Sequence, residues 1–394
     1  MSGQRLAFVA NTRLPSERAQ ALQVVQMAAA FARAALEVEL LHARRRREHP
    51  LPAGQDLWSH YGVPSGPRPT VRAIPCSDWI ESVPVALQYI PARMQELSFA
   101  RNAARALREH AAHTWVYSRE IECALHLVRA GAPHVFLEVH RVPGGRTRRR
   151  WLDAAVRGVR GVVAISGGVR EDLVAAGVPA DKLCVEHDGY EAARFARLPS
   201  REAARDALKL PQGASIVAYT GGLLEWKGVD VLVDAARELD SVLFVIAGGM
   251  AADVEKLRAR AAGLANVRID GFQAPERVPT YLAAADVAAL PNRAQPAISA
   301  RYTSPLKLFE CMAAGLPMVA SDLPALRDCL AEGEARFAQP DDPRALAAAI
   351  AGLLADRAGR ASMRERLLAR AAAHTWDARA TRIARWMRER ASDR

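Results

Sequence analysis

Short apolar runs alternate along this chain with longer segments whose apolar residues recur at helical spacing. The runs at 6–10, 38–42, 115–118, 135–138 and 161–166 read as buried strands, and 19–34 reads as the first helix. A second series begins near residue 214, with strands at 216–220, 242–247, 267–270, 287–290 and 318–320 and a helix at 231–239. Strands buried on both faces of a parallel sheet are near-continuously apolar, as these are. Residues 48–80 are rich in Pro and Gly and read as irregular. Strand–loop–helix order in both series predicts doubly wound α/β architecture in two halves. Residues 374–392 form a terminal helix, with Thr375 as its N-cap and Asp377 in its first turn.

The segment from Arg301 to Asp322 carries the most chemical information. Thr303 and Ser304 are hydroxyl caps for a helix entered through Pro305. Leu306, Phe309 and Met312 repeat at helical spacing, and Gly315 and Pro317 stop the helix. A helix start offers unpaired N–H groups and partial positive charge, so it attracts phosphate. Glu310 lies on the same helix, where its carboxylate can accept hydrogen bonds from a ribose diol. The pattern points to a nucleotide site.

These residues resemble the nucleotide-binding motif of retaining glycosyltransferases with the GT-B fold, in particular glycosyltransferase family four. That family carries Glu, seven residues, then Glu. Glu310 matches the second, and Tyr302 stands where the first would be. The resemblance implies two Rossmann-like domains facing a cleft: 1–198 on the acceptor side, 199–374 binding the donor, and 375–394 a terminal helix crossing back onto the first domain. It extends to Gly221-Gly-Leu-Leu-Glu-Trp-Lys-Gly228, similar to the family's glycine-rich turn before a phosphate-binding lysine. Lys227 would neutralise the departing diphosphate, unless it is a solvated loop lysine. Gly222 stands where the family has Arg, and Lys307 is the candidate substitute.

By the same resemblance, His140, at the end of a strand in Glu138-Val-His140, would contact donor sugar or align acceptor, or else cap a loop. Gly271 and Phe272 would read the base, with a core role for Phe272 the alternative. Gly221, Gly222, Thr303, Ser304, Pro305, Leu306 and Glu310 complete the donor set. Arg13 and Arg18 are the acceptor-side candidates in the first loop. Asn292 and Arg293 are placed to replace the missing sugar contact. Ser166 is a helix N-cap within reach of phosphate, or structural.

The implied activity is transfer of a sugar from a nucleoside-diphosphate sugar to an acceptor hydroxyl with retention. No bound cofactor or metal is expected. The acceptor is a lipid-linked or soluble glycan or a small molecule. A sugar-nucleotide epimerase and a non-catalytic sugar-nucleotide-binding protein are the competing readings. A dinucleotide oxidoreductase is disfavoured, since no Gly-x-Gly-x-x-Gly follows the first strand.

Composition narrows this further. The 394 residues are half hydrophobic, enough for two cores. Five scattered cysteines without metal-ligand spacing argue for a reducing compartment, hence the cytoplasm, and against zinc. Net charge is +11, with arginine runs at 44–47 and 146–150. No nucleic-acid-binding motif accompanies them. Association with an anionic surface at the inner face of the membrane is one reading of the runs, and ordinary solvated arginines the other.

Overall fold

The computed structural model describes residues 4–16, 18–46, 50–110, 112–392. Arg47, the last of the first arginine run, lies outside them. The chain divides into two compact units. The first comprises Met1–Ile165, Val169–Glu186 and Trp376–Arg394, and the second Ser166–Gly168 and His187–Thr375.

The first unit is built on a seven-stranded sheet, order β3-β2-β1-β4-β5-β6-β7. Its strands are β1 Gln4–Ala10, β2 Leu36–Ala43, β3 Thr70–Ile74, β4 Trp115–Ser118, β5 Val135–Val139, β6 Gly161–Ala164 and β7 Leu183–Val185. Every pairing is parallel. Parallel neighbours need crossover helices, which cover both sheet faces and explain the uninterrupted apolar strands. Residues 48–80, expected to be irregular, contain the edge strand β3 and a short helix, Leu57–His60. The terminal helix Trp376–Ser392 is part of this unit and lies against the first helix, Ala19–Arg33. Arg33 pairs with Asp377 across that contact, and Trp386 meets Phe136 of β5 with ring centroids 5.9 Å apart.

The second unit has a six-stranded sheet, order β10-β9-β8-β11-β12-β13. Here β8 is Ser215–Thr220, β9 Val242–Ala247, β10 Val267–Gly271, β11 Val287–Leu290, β12 Met318–Ser321 and β13 Arg336–Ala338. These strands are also all parallel. Arg205 is fully buried, donating to the carbonyls of Ala284, Gln212 and Ala214 and to the Asp286 carboxylate. Asp286 also accepts from the Ile216 N–H, so this network fixes the entry of β8. In each sheet the strand order reverses beside the first strand, between β1 and β4 and between β8 and β11. Open α/β sheets bind ligands at the carboxyl ends of the strands at this point. No helix of the described residues is long and apolar enough to cross a membrane.

Candidate functional site

In the second unit, β8 ends at Thr220 and runs into Gly221-Gly222. Gly221 has φ +128°, a conformation closed to most side chains, and a Cβ there would lie 3.3 Å from Lys307 Cε. Lys227 follows in a single 3-10 turn, Glu225–Lys227, closed by Gly228 at φ +66°. A Cβ on Gly228 would sit 1.9 Å from the Pro291 carbonyl oxygen, so only glycine lets this turn lie against the end of β11. A Cβ on Gly222 would lie 3.6 Å from Lys227 Nζ. The two ammonium groups therefore flank one glycine turn.

Lys307 is the more unusual of the two. It is 7% exposed, and its Nζ has no hydrogen-bond partner. It lies 3.6 Å from the centroid of the Tyr219 ring, a cation–π contact that only partly replaces water. Burial, and then the charge of Lys227, hold its pKa well below the ordinary lysine value. Burial also lowers Lys227. A buried ammonium without a carboxylate is costly unless a ligand anion completes it. Two further buried oxygens lack partners, Thr220 Oγ1 at the end of β8 and Asn292 Oδ1 just beyond β11. Polar atoms left open at the switch point of one sheet mark a site for a polar, anionic ligand.

The helix carrying Lys307 is Leu306–Ala314, one residue later than its expected entrance. Thr303 and Ser304 do not cap it: Pro305 occupies the N-cap, with no side-chain cap bond. The Ser304 hydroxyl instead accepts the Asp188 N–H at 2.7 Å. A π-helical turn, Ile298–Tyr302, precedes and displaces the hydroxyls from the capping position. Pro305 has no N–H, so the phosphate-facing donors at this helix start are fewer than its sequence span suggested. Gly315 ends the helix in the left-handed region at φ +58°, as expected.

Glu310 is mostly buried and lies 3.6 Å from Arg194, an arginine that sequence spacing gave no reason to single out. Burial raises the Glu310 pKa, and Arg194 and Lys307 pull against that shift. Gly271 closes β10 at φ +68°, and Phe272 beyond it is 54% exposed rather than in the core. Arg293 is held by both Asp230 and Asp341. Tyr302 stacks under the Arg301 guanidinium at 5.9 Å. Ser166 gives its hydroxyl hydrogen to the Arg301 carbonyl at 3.0 Å.

In the first unit, His140 follows β5 with its ring partly exposed. Its Nε2 meets the Glu138 carboxylate at 2.5 Å, and Nδ1 lies 3.5 Å from Arg119. Burial, and then Arg119, depress its pKa to about 4. The ring is thus neutral near pH 7, with Nε2–H donated to Glu138. Glu138 is 1% exposed and also binds Arg379 at 2.9 Å and Tyr117. Despite its burial, Arg379 foremost, then His140 and Arg119, hold the Glu138 carboxyl well below the usual range. At the switch point of this sheet the Asn11 N–H donates to Glu120 at 2.9 Å, while the Asn11 and Gln95 amides pair reciprocally. Burial raises Glu120 to about 7. No spacing in the sequence joins Asn11, Gln95 and Glu120, so only the fold reveals this group. Arg13 pairs with Glu81, and Arg18 stands exposed at the start of the first helix. Among the described residues no cluster of three or more His, Cys, Asp or Glu side chains is placed to hold a metal.

Residues 214–356 match a family model described as glycosyl transferases group 1. Over 224 residues the chain is 32% identical to a D-inositol 3-phosphate glycosyltransferase of Streptomyces scabiei, covering 52% of this chain and 48% of that protein. It is 28% identical over 202 residues to an alpha-D-kanosaminyltransferase of Streptomyces kanamyceticus, covering 48% and 50% respectively. The chain thus spans about half the length of the curated relatives it matches. Among solved structures, Anabaena Alr3699/HepE in complex with UDP superposes with a TM-score of 0.74 at 18% identity, covering 98% of this chain and all of that one. That likeness is one of fold. The resemblance to GT-B glycosyltransferases read in the sequence holds.

Proposed function

We propose that this GT-B chain, whose second unit matches the group 1 glycosyltransferases, transfers a sugar from a nucleoside-diphosphate sugar to an acceptor hydroxyl with retention of configuration. The observation that carries the proposal is the buried, partnerless Lys307 beside Lys227 at the Gly221-Gly222 turn. Two ammonium groups there match the two negative charges of the bound diphosphate and stabilise the further one that develops on the leaving oxygen as the glycosidic bond breaks. Lys307 takes over the role of the cation that Gly222 cannot supply. The backbone N–H groups at the start of Leu306–Ala314 add donors, and Glu310 accepts from the ribose hydroxyls. Gly271 and Phe272 border the base.

No protein nucleophile is assigned. In a same-face displacement the departing phosphate oxygen takes the acceptor proton, so the reaction needs neither a base nor a metal from the protein. His140, whose pKa near 4 makes it a poor base, orients a hydroxyl rather than removing its proton. Tyr302 offers one phenolic oxygen where a carboxylate offers two acceptors, so the donor is a deoxy or otherwise modified sugar, or its contact comes from Asn292. The acceptor belongs to glycan, glycolipid or small-molecule glycoside synthesis. Arg13 and Arg18 face the acceptor side, and the protein works in the cytoplasm, at or near an anionic membrane surface.

A thermal-shift panel of UDP-, GDP-, ADP- and dTDP-sugars tests the donor class, because a ligand that binds only the folded state raises apparent stability. One nucleotide series should stabilise the protein. Lys227→Ala should then lower turnover about 100-fold or more, with a smaller effect on nucleoside binding. Product with inverted configuration would refute retention. Binding without transfer to any acceptor would favour the sugar-nucleotide sensor, and release of an epimerised sugar nucleotide the epimerase.

A further inference from the structure

Half of the exposed large hydrophobic side chains of the described residues, seven of fourteen, fall between positions 79 and 97 of the first unit. Scattered exposed apolar residues are ordinary, but such a concentration needs an occupant. Trp79, Val85 and Leu87 project from the segment before the helix Tyr89–Leu107, with Val85 83% exposed. On that helix Ile90, Met94 and Leu97 are exposed, while Phe99, Ala103 and Leu107 are buried. At 100° per residue, Ile90, Met94, Leu97, Arg101, Arg105 and Arg108 fall in one outer stripe about 80° wide. An ordinary surface helix is polar along that stripe. Here its first turns are apolar and its last are arginine.

The surface is not a loose loop. The Ser77 N–H donates to Ser98 Oγ at 2.8 Å, Asn102 donates to the Pro75 carbonyl at 2.9 Å, and Gln88 donates to the Val83 carbonyl at 3.2 Å. These bonds tie the segment to the helix and leave its apolar side chains outside. The charge around it is mostly positive, exposed Glu109 beside Arg108 being the exception. Asp78, Glu81 and Glu96 each already hold an arginine, namely Arg45, Arg13 and Arg93. Arg101, Arg105 and Arg108 carry no ion pair among the described residues and stand exposed. Arg46 lies over the Trp79 ring at 6.0 Å, a pairing suited to a headgroup boundary.

We propose that residues 79–108 form a docking surface for an anionic lipid bilayer, with the apolar side chains in the interface and the arginines on the headgroups. Apolar insertion and electrostatic attraction together are what give a peripheral protein stable attachment. The proposal deepens the membrane-surface part of the function above and moves it from the arginine runs at 44–47 and 146–150 to a defined surface. A lipid bilayer accounts for both halves of the stripe, whereas a soluble anionic partner would leave the aliphatic half uncovered.

The test is flotation of the full chain with phosphatidylglycerol and phosphatidylcholine vesicles, with Leu87→Asp/Ile90→Asp and Arg101→Glu/Arg105→Glu as variants. The wild type should float with phosphatidylglycerol, and the aspartate variant should lose at least about tenfold of that partition at every salt concentration. The glutamate variant should lose most at low salt, where the electrostatic part is largest. Both replace exposed side chains, and an unchanged first-unit transition in calorimetric scans confirms that each is folded, with the nucleotide-induced shift measured alongside. That shift reports on the second unit, so failure of the donor assignment would be seen separately. Equal flotation of the aspartate variant would overturn the proposal. So would absence of wild-type flotation together with self-association that the aspartate substitutions abolish, which would make the surface an interface between copies.

Discussion

Lys307 sets the electrostatics of the Gly221-Gly222 turn. Its ammonium is buried, carries no hydrogen bond, and sits near a second lysine. Its folded pKa is below the unfolded one, so between the two values the unfolded chain binds more protons. The cost of burying this charge is full at low pH and is relieved as pH rises through that window. A diphosphate beside Lys307 raises its pKa again. Nucleoside-diphosphate binding at mildly alkaline pH should therefore take up protons, detectable as binding enthalpies that vary with buffer ionisation. Lys307→Met should weaken binding, abolish most of the uptake, and leave the unliganded protein at least as stable. Wild-type binding without proton uptake would remove the buried charge from the account.

His140 makes the same kind of statement in a lower pH window. Its pKa near 4 lies below that of an unfolded histidine. It thus contributes stability that is present above about pH 6.5 and is lost as pH falls toward 4. Replacing it with Gln, which keeps a donor toward Glu138, should flatten the urea-stability profile between those limits. An unchanged profile would mean the ring is solvated. Lys307 and Glu310 were singled out together because they share one helix, and Lys227, far earlier in the chain, because it follows a glycine turn. Arg194, Thr220, Glu120 and Arg379 were not. Arg194, Glu120 and Arg379 meet their partners only through the fold, Thr220 Oγ1 is left open, and a lone Arg or Thr carries no local signal.

Among the elements, the central strands were legible, and of the sheet edges only β10 was. The unread strands β3, β7 and β13 each form an edge of a sheet. An edge strand is covered less and needs no apolar run, and β3, Thr-Val-Arg-Ala-Ile, is exposed at all but its last residue. Helix ends failed where the backbone departed from a simple cap. The π turn Ile298–Tyr302 pulled Thr303 and Ser304 into packing and hydrogen bonding away from the helix start. Helix Arg201–Leu208 shows an element fixed by a single side chain. Arg205→Ala would strand Asp286 and several carbonyls, and should destabilise the second unit by about 3–5 kcal/mol, the cost of breaking a buried pair. Chemical denaturation followed by loss of nucleotide binding measures it. A change under about 1 kcal/mol would mean water replaces the guanidinium.

In the whole molecule, chain order and domain order differ. The first unit is left at Glu186 and completed only by the segment that begins at Trp376. That last helix is no appendage. Arg379 and Glu138 are each 1% exposed and paired, Arg382 grips Glu186 at 2.8 Å, and Trp386 fills the space over Gly161. A Cβ on Gly161 would lie 2.2 Å from the indole. Removing residues 376–394 would leave Glu138 as a buried carboxylate beside Tyr117 and His140, with its strongest cation gone. A buried charge stripped of its partner is strongly destabilising, and the lost Trp386 adds a cavity over β5 and β6. The second unit's sheet, its Arg205 network and the Lys227–Lys307 turn contain no residue of that helix. The deletion should therefore lower or abolish the thermal transition of the first unit while the remaining protein keeps its nucleotide affinity within about threefold, a change under 0.7 kcal/mol. Arg379→Ala should shift the same transition in the same direction by a smaller amount. Calorimetric scans with and without nucleotide separate the two units, because ligand raises only the transition of the unit that binds it. Loss of nucleotide binding in the deletion with the first unit's transition unmoved would show that the helix serves the donor site and not the first unit.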